Sequence, residues 1–167
     1  MITPAVHLVL PKSVFHTISS WAEAAYPHEG CGLLIGRFGK DAKEVVRFAP
    51  LTNRLLGQRP SSDDPKFSTL PESRKGAGAG RTEFVMDPEE FNRETLQAEK
   101  EALDVVGVVH THPDHPPRPS RIDSSQPFLA QWSNIIVAVD HGRTREMRSW
   151  FRERDDEPFS EEEIRSA

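Results

Sequence analysis

The sequence predicts a mixed α/β domain in which helices pack around one sheet, and three observations lead there. Short apolar runs of strand length recur at 6–10, 31–36, 44–48, 105–109 and 134–139. Two longer segments between them space their apolar residues as a helix does. The chain of 167 residues shows no internal repeat and is long enough for one domain with its own core.

Taken in order, Val6, Leu8 and Leu10 alternate with His7 and Val9, the pattern of a short strand. A helix is expected from about 11 to 26, with Val14, Ile18, Trp21 and Ala25 on one face and Pro11 in its first turn. Pro27 ends it, because the residue before a proline avoids the helical region. The run 31–36, opened and closed by glycines, reads as a buried strand, and 44–48 as its hairpin partner across a turn at 38–43. The stretch 57–82 holds four glycines, three prolines and four serines, too little apolar surface to offset its ordering entropy. It is expected to be a long flexible insertion.

Order is predicted to return at Phe84. Asp87 is a good helix N-cap, Pro88 a good first residue, and Glu90 completes a capping pair. Phe91, Thr95, Ala98 and Ala102 line one face of a helix running to about 103. The run 105–109 suits a central strand, a short helix should follow Ser120 with Pro127 in its first turns, and 134–139 is a second buried strand. His141-Gly142 turns the chain into an edge strand over 146–151. Residues 152–167 carry seven acidic and three basic side chains and read as a solvated helix or a disordered tail. The expected organisation is therefore one folded domain over 1–151, with its insertion at 57–82, followed by an acidic tail over 152–167.

Composition narrows the function. Hydrophobic residues make up 36% and charged residues 28%, with a net charge of −5. A protein held to nucleic acid by phosphate neutralisation would be basic. No 18-residue apolar run exists and 1–4 has neither the basic nor the apolar region of a signal peptide, so a cytoplasmic protein without a membrane partner is expected. The single cysteine, Cys31, excludes an internal disulfide and every zinc site built on two thiolates. Any metal must be held by histidine and carboxylate.

The segment Val108-Val-His-Thr-His-Pro-Asp-His-Pro-Pro-Arg-Pro-Ser-Arg-Ile-Asp123 answers that requirement. His110 and His112 end an apolar strand and, two residues apart, share a face, so two imidazoles can converge on one point while Thr111 turns away. A stiff turn through Pro113, Pro116, Pro117 and Pro119 can return Asp123 to the same point. Two histidines and a carboxylate leave a position for water, the mark of a catalytic zinc site. Such a site also needs a proton acceptor beside the water. Glu29, at a helix-to-strand junction framed by Pro27, Gly30 and Gly32, is a candidate, although spacing alone does not single it out among the acids.

These residues resemble the JAMM (MPN+) metalloprotease motif: His-x-His, ten residues, then Asp, with a serine three residues before the Asp. Pro27, Glu29, Cys31, Gly32, Leu33, Leu34 and Gly36 match the upstream motif of its bacterial members, and the resemblance runs from about 6 to 151. It implies a cytidine-deaminase-like fold and a zinc isopeptidase. One Zn2+ would be held by His110, His112 and Asp123. Glu29 would be the general base and then the acid for the leaving amine, and Ser120 would hydrogen-bond the water or the developing oxyanion. The implied partners are ubiquitin-like or sulfur-carrier proteins, freed at their C-terminal glycine from a conjugated protein or from cysteine. Two features depart from the pattern. The insertion at 57–82 is longer than in the simplest members, where larger relatives carry a substrate-gripping segment, and little is inserted between Asp123 and 134. Thr111 replaces a serine common in eukaryotic members; facing away from the metal, it should matter little.

Other readings attach to the same residues. Two histidines and a carboxylate also form an iron oxygenase triad, usually in all-β barrels. Ser120-x-x-Asp123 is a plain capping box, a role compatible with catalysis. His28 and His115 read as exposed and inert, Cys31 as a small core residue, Asn53 as a residue near the cleft, and Trp21, Trp132 and Trp150 as packing residues. For the whole chain the alternatives are a non-catalytic scaffold and a zinc amidohydrolase of small substrates.

Overall fold

The computed structural model describes residues 7–54, 84–125 and 129–167. The expected insertion at 57–82, Val6 and Pro127 lie outside them. Among the described residues, seven strands and three helices follow one another: β1 (His7–Leu10), α1 (Lys12–Ala25), β2 (Cys31–Phe38), β3 (Ala42–Leu51), α2 (Pro88–Lys100), β4 (Asp104–Pro113), α3 (Arg121–Ser125), β5 (Ser133–Asp140), β6 (Arg143–Phe151) and β7 (Ser160–Ser166). Among the described residues no helix is long and apolar enough to cross a membrane.

The strands form one sheet in the order β1-β3-β2-β4-β5-β6-β7 that closes on itself, because β1 pairs in parallel with both β3 and β7. Each face carries a helix. Val14, Ile18 and Ala22 of α1 pack with Leu8, Leu10, Leu34, Val109, Ile135 and Val137. Ala98 of α2 packs with Cys31, Leu33, Ile35, Leu51 and Val108 on the other side. The alternation of Leu34 with Leu33 and Ile35 between these clusters is the two-residue period of a strand buried on both faces.

Local signals explain the boundaries. The Asp87 side chain accepts from the N–H groups of Glu89 and Glu90, and Pro88 opens α2. The helix stops at Lys100 rather than 103 because Ala102 adopts a positive φ of 58° and Leu103 N–H returns to Ala98 O at 2.8 Å. His141 and Gly142, with φ of 51° and 83°, make the two-residue hairpin from β5 to β6 that matches the twist of the strands.

Two expectations need correction. Residues 152–167 do not form a solvated helix or a loose tail, since Ser160–Ser166 is a strand inserted between β1 and β6. In consequence β6 is not an edge strand. The physical reason is a buried ion pair. Lys43 Nζ donates to Glu162 Oε1 at 2.7 Å, Ser149 Oγ donates to Glu162 Oε2 at 2.8 Å, and the Lys43 ammonium lies 4.6 Å from the centre of the Phe151 ring. Paired in this way, a lysine and a glutamate occupy sheet positions that composition assigns to solvent.

Candidate metal centre

His110 and His112 lie near the end of β4, and Asp123 lies in α3, brought back by the proline turn. That turn is tied at several points. Asp114 N–H donates to Val139 O at 2.8 Å, Trp150 Nε1–H donates to Pro117 O at 2.8 Å, and Asp114 takes hydrogen bonds from Tyr26 Oη and the His141 N–H. These two donors hold the Asp114 carboxyl below its ordinary range, the His141 N–H contributing most. Trp150 is thus more than a packing residue.

The turn delivers Asp123 to the histidines. His112 Nε2 lies 3.1 Å from His110 Nε2 and 3.1 Å from Asp123 Oδ2, and His110 Nε2 lies 3.2 Å from Asp123 Oδ1. His112 Nδ1 meets the Pro116 carbonyl at 2.8 Å. A carbonyl only accepts, so in the neutral ring Nδ1 carries the proton and Nε2 presents its lone pair to the cluster. Two ring nitrogens and one carboxylate at these spacings fit one ion. Tetrahedral bonds of about 2.0–2.1 Å set ligand atoms roughly 3.3 Å apart. All are buried, with exposures of 4%, 8% and 7% for His110, His112 and Asp123. Burial would push the Asp123 carboxyl up, but the two imidazoles beside it, His110 above all, and the donated Ser120 N–H outweigh it and hold Asp123 well below the usual carboxylate range.

A second carboxylate faces the same histidines. One oxygen of Glu29 and one ring nitrogen each from His110 and His112 all lie within 4.8 Å of one another, a buried set able to hold a metal. Asp123 faces the same two Nε2 atoms at 3.1 and 3.2 Å, so two carboxylates border the histidine pair. Gly30 follows Glu29 against Trp21, where an added Cβ would come within 2.6 Å of the indole.

Ser120 forms the expected capping box: its Oγ accepts the Asp123 N–H at 3.1 Å, and its N–H donates to Asp123 Oδ2 at 2.7 Å. Its hydroxyl proton is not used in this pair. Ser120 lines an open groove of about 400 Å³ together with Glu29, His112, His115, Arg118 and Ile122. His115 thereby sits on the groove and His28 is half-buried beside Glu29. Cys31 is fully buried and donates weakly to Leu51 O; burial, then the charges of Glu90 and Glu29, push its thiol up to about 12. It stays a protonated core residue at neutral pH.

Three residues have roles that sequence reasoning passed over or undervalued. The Phe84 ring stacks on His110 at 4.8 Å between centroids. Asn53 is buried and donates to the Glu29 carbonyl at 2.8 Å. Thr111 turns away from the histidine donors, as alternation requires, but it is not idle: its Oγ1 accepts the Gly30 N–H at 2.9 Å.

Residues 11–153 match the family model of prokaryotic homologs of the JAB domain. The chain belongs to the JAB/MPN family. The match takes in both long helices and every residue of the cluster, with β1 and β7 of the sheet lying outside it. A desampylase from Pyrococcus furiosus is 51% identical over 68 residues, a stretch covering 41% of this chain and 46% of that protein. The chain thus aligns with about half the length of this curated relative. Two solution structures share the fold over nearly the whole chain. One, of a protein from Desulfitobacterium hafniense, has a TM-score of 0.71 and 27% identity, covering 96% of this chain and 92% of that one. The other, from Salinibacter ruber, has a TM-score of 0.65 and 28% identity, covering 95% and 90%.

Proposed function

We propose that this JAB/MPN protein is a zinc-dependent isopeptidase. It hydrolyses the bond at the C-terminal glycine of a ubiquitin-like or sulfur-carrier protein and releases it from a conjugated protein or amino acid. The observation that carries the reading is the convergence of His110, His112 and Asp123 on one point at 3.1–3.2 Å, with Glu29 beside them and a groove open to solvent. The desampylase relative supports the ubiquitin-like class of substrate. The catalytic domain takes in the whole closed sheet, β7 included.

His110, His112 and Asp123 would hold the zinc, through Nε2 of each ring and the carboxylate. When bound, the ion supplies Lewis-acid chemistry, making water acidic near neutral pH and polarising a carbonyl. Glu29 takes the proton from the attacking water and returns it to the departing amine, so the glycine leaves as a carboxylate. Ser120 turns its hydroxyl proton toward the oxyanion that forms on the scissile carbonyl. The groove beside His112 has room for an extended glycine tail, and its rim carries Arg118.

Glu29→Gln keeps the size of the side chain and removes the proton acceptor. The variant is expected to retain zinc at the wild-type ratio and to cleave a ubiquitin-like conjugate roughly 10²–10⁴-fold more slowly. Elemental analysis and mass spectrometry of the products read both quantities. Cleavage at the wild-type rate would refute the base assignment, and loss of zinc would make Glu29 a ligand.

A further inference from the structure

Glu29 lies between α1 and β2, outside any regular element, so nothing in a helix or strand ladder fixes its main chain. Side chains from elsewhere do. β2 and β4 run antiparallel with Cys31 opposite His110, which sets Gly30 opposite Thr111. Thr111 Oγ1 accepts the Gly30 N–H at 2.9 Å, and the Thr111 N–H donates to Gly30 O at 3.1 Å. Asn53 holds the next carbonyl back: its Nδ2 donates to Glu29 O at 2.8 Å while its Oδ1 accepts the Val85 N–H at 3.0 Å. Both side chains are buried, with exposures of 1% and 2%. The peptide group linking Glu29 to Gly30 is therefore gripped at both its ends. One grip comes from the residue between the two histidines, the other from a residue tied to the segment that stacks Phe84 on His110.

We infer that Thr111 and Asn53 are positioning residues that clamp the main chain of Glu29 and thereby set its carboxylate against the His110–His112–Asp123 cluster. Neither belongs to the set of candidate metal donors. Their effect passes through the backbone of Glu29, and a proton carrier displaced by about 1 Å loses on the order of 100-fold in rate. The clamp asks of position 111 a hydroxyl that accepts the Gly30 N–H. It rests on Glu29 being the proton carrier.

The test compares Thr111→Val, Thr111→Ser and Asn53→Ala with wild type and with Glu29→Gln. The probe is a ubiquitin-like protein ending in Gly-Gly with a fluorogenic amide on its C-terminal carboxyl. Thr111→Val has the shape of threonine without the hydroxyl. It and Asn53→Ala should hold wild-type zinc and show kcat lower by roughly 10- to 100-fold with KM within about twofold. Thr111→Ser should restore kcat to within about threefold of wild type, since it keeps the acceptor for the Gly30 N–H. Amide exchange at Gly30 should quicken in Thr111→Val and stay slow in Thr111→Ser. Wild-type kcat in Thr111→Val, or a Thr111→Ser as slow as the valine variant, would overturn the clamp. If Thr111→Val does not fold, Asn53→Ala decides the matter by the same measurements. A fully active Glu29→Gln would instead remove the base assignment on which the clamp rests.

Discussion

His112 shows how much of the candidate site is decided one residue at a time. Its Nδ1 is committed to the Pro116 carbonyl and its Nε2 meets both His110 and Asp123. An alanine there removes a candidate metal donor and the His112 contact of the Pro116 carbonyl. His112→Ala is expected to copurify with less than about a tenth of the wild-type zinc, a loss of more than 1.4 kcal/mol in binding. Wild-type metal content by elemental analysis would show that the ligand set is drawn wrongly. His110, His112 and Asp123 were legible because fourteen consecutive residues contain them all, so strand alternation and a stiff turn suffice to bring them together. Thr111 and Asn53 were not legible in the same way. Alternation shows that Thr111 faces away from the histidines, but not what it meets, which depends on the pairing of Cys31 with His110. Asn53 is 24 residues from its partner carbonyl, and no local pattern encodes that contact.

Among the elements, β7 carries the sharpest lesson. Its sequence, Ser160-Glu-Glu-Glu-Ile-Arg-Ser166, reads as solvated because the inward positions are Glu162 and the half-buried Ile164. A glutamate in an inward register position erases the apolar alternation that betrays other strands. Only the distant Lys43 makes that register tolerable. The strands 31–36, 105–109 and 134–139 and both longer helices were legible because their own residues supply what they bury. Removing one charge from the Lys43–Glu162 pair should be severe. Glu162→Ala is expected to destabilise the protein by about 3–5 kcal/mol, whereas Lys43→Met with Glu162→Leu should recover most of that loss. Chemical denaturation of the three proteins checks this. A Glu162→Ala protein as stable as wild type would show β7 to be dispensable.

At the scale of the molecule, the cluster draws on separate parts of one sheet. The histidines come from β4, Asp123 from α3 beyond the proline turn, and Glu29 from the link between α1 and β2. An ion held by the first three ties a central strand to a five-residue helix. Chelation should therefore lower the thermal midpoint as well as activity. Zinc at 100–1,000 times its dissociation constant adds about 3–4 kcal/mol, which corresponds to roughly 5–15 °C in a chain of this size. An unchanged midpoint in the presence of chelator, read by calorimetry, would mean that no ion binds the folded state tightly.

The closure of the sheet also sets an order in time. His7 of β1 pairs with Glu163 of β7, so the earliest described strand waits for the latest described one before one of its sides is satisfied. During synthesis, at about 5–20 residues per second, β1 can meet β3 long before β7 has left the ribosome. The growing chain therefore passes through a stage in which β1 and β6 each expose an unpaired row of N–H and C=O groups. β7 acts as a cap on that stage, and a chain halted shortly before position 160 would contain all its candidate metal ligands with its sheet still open.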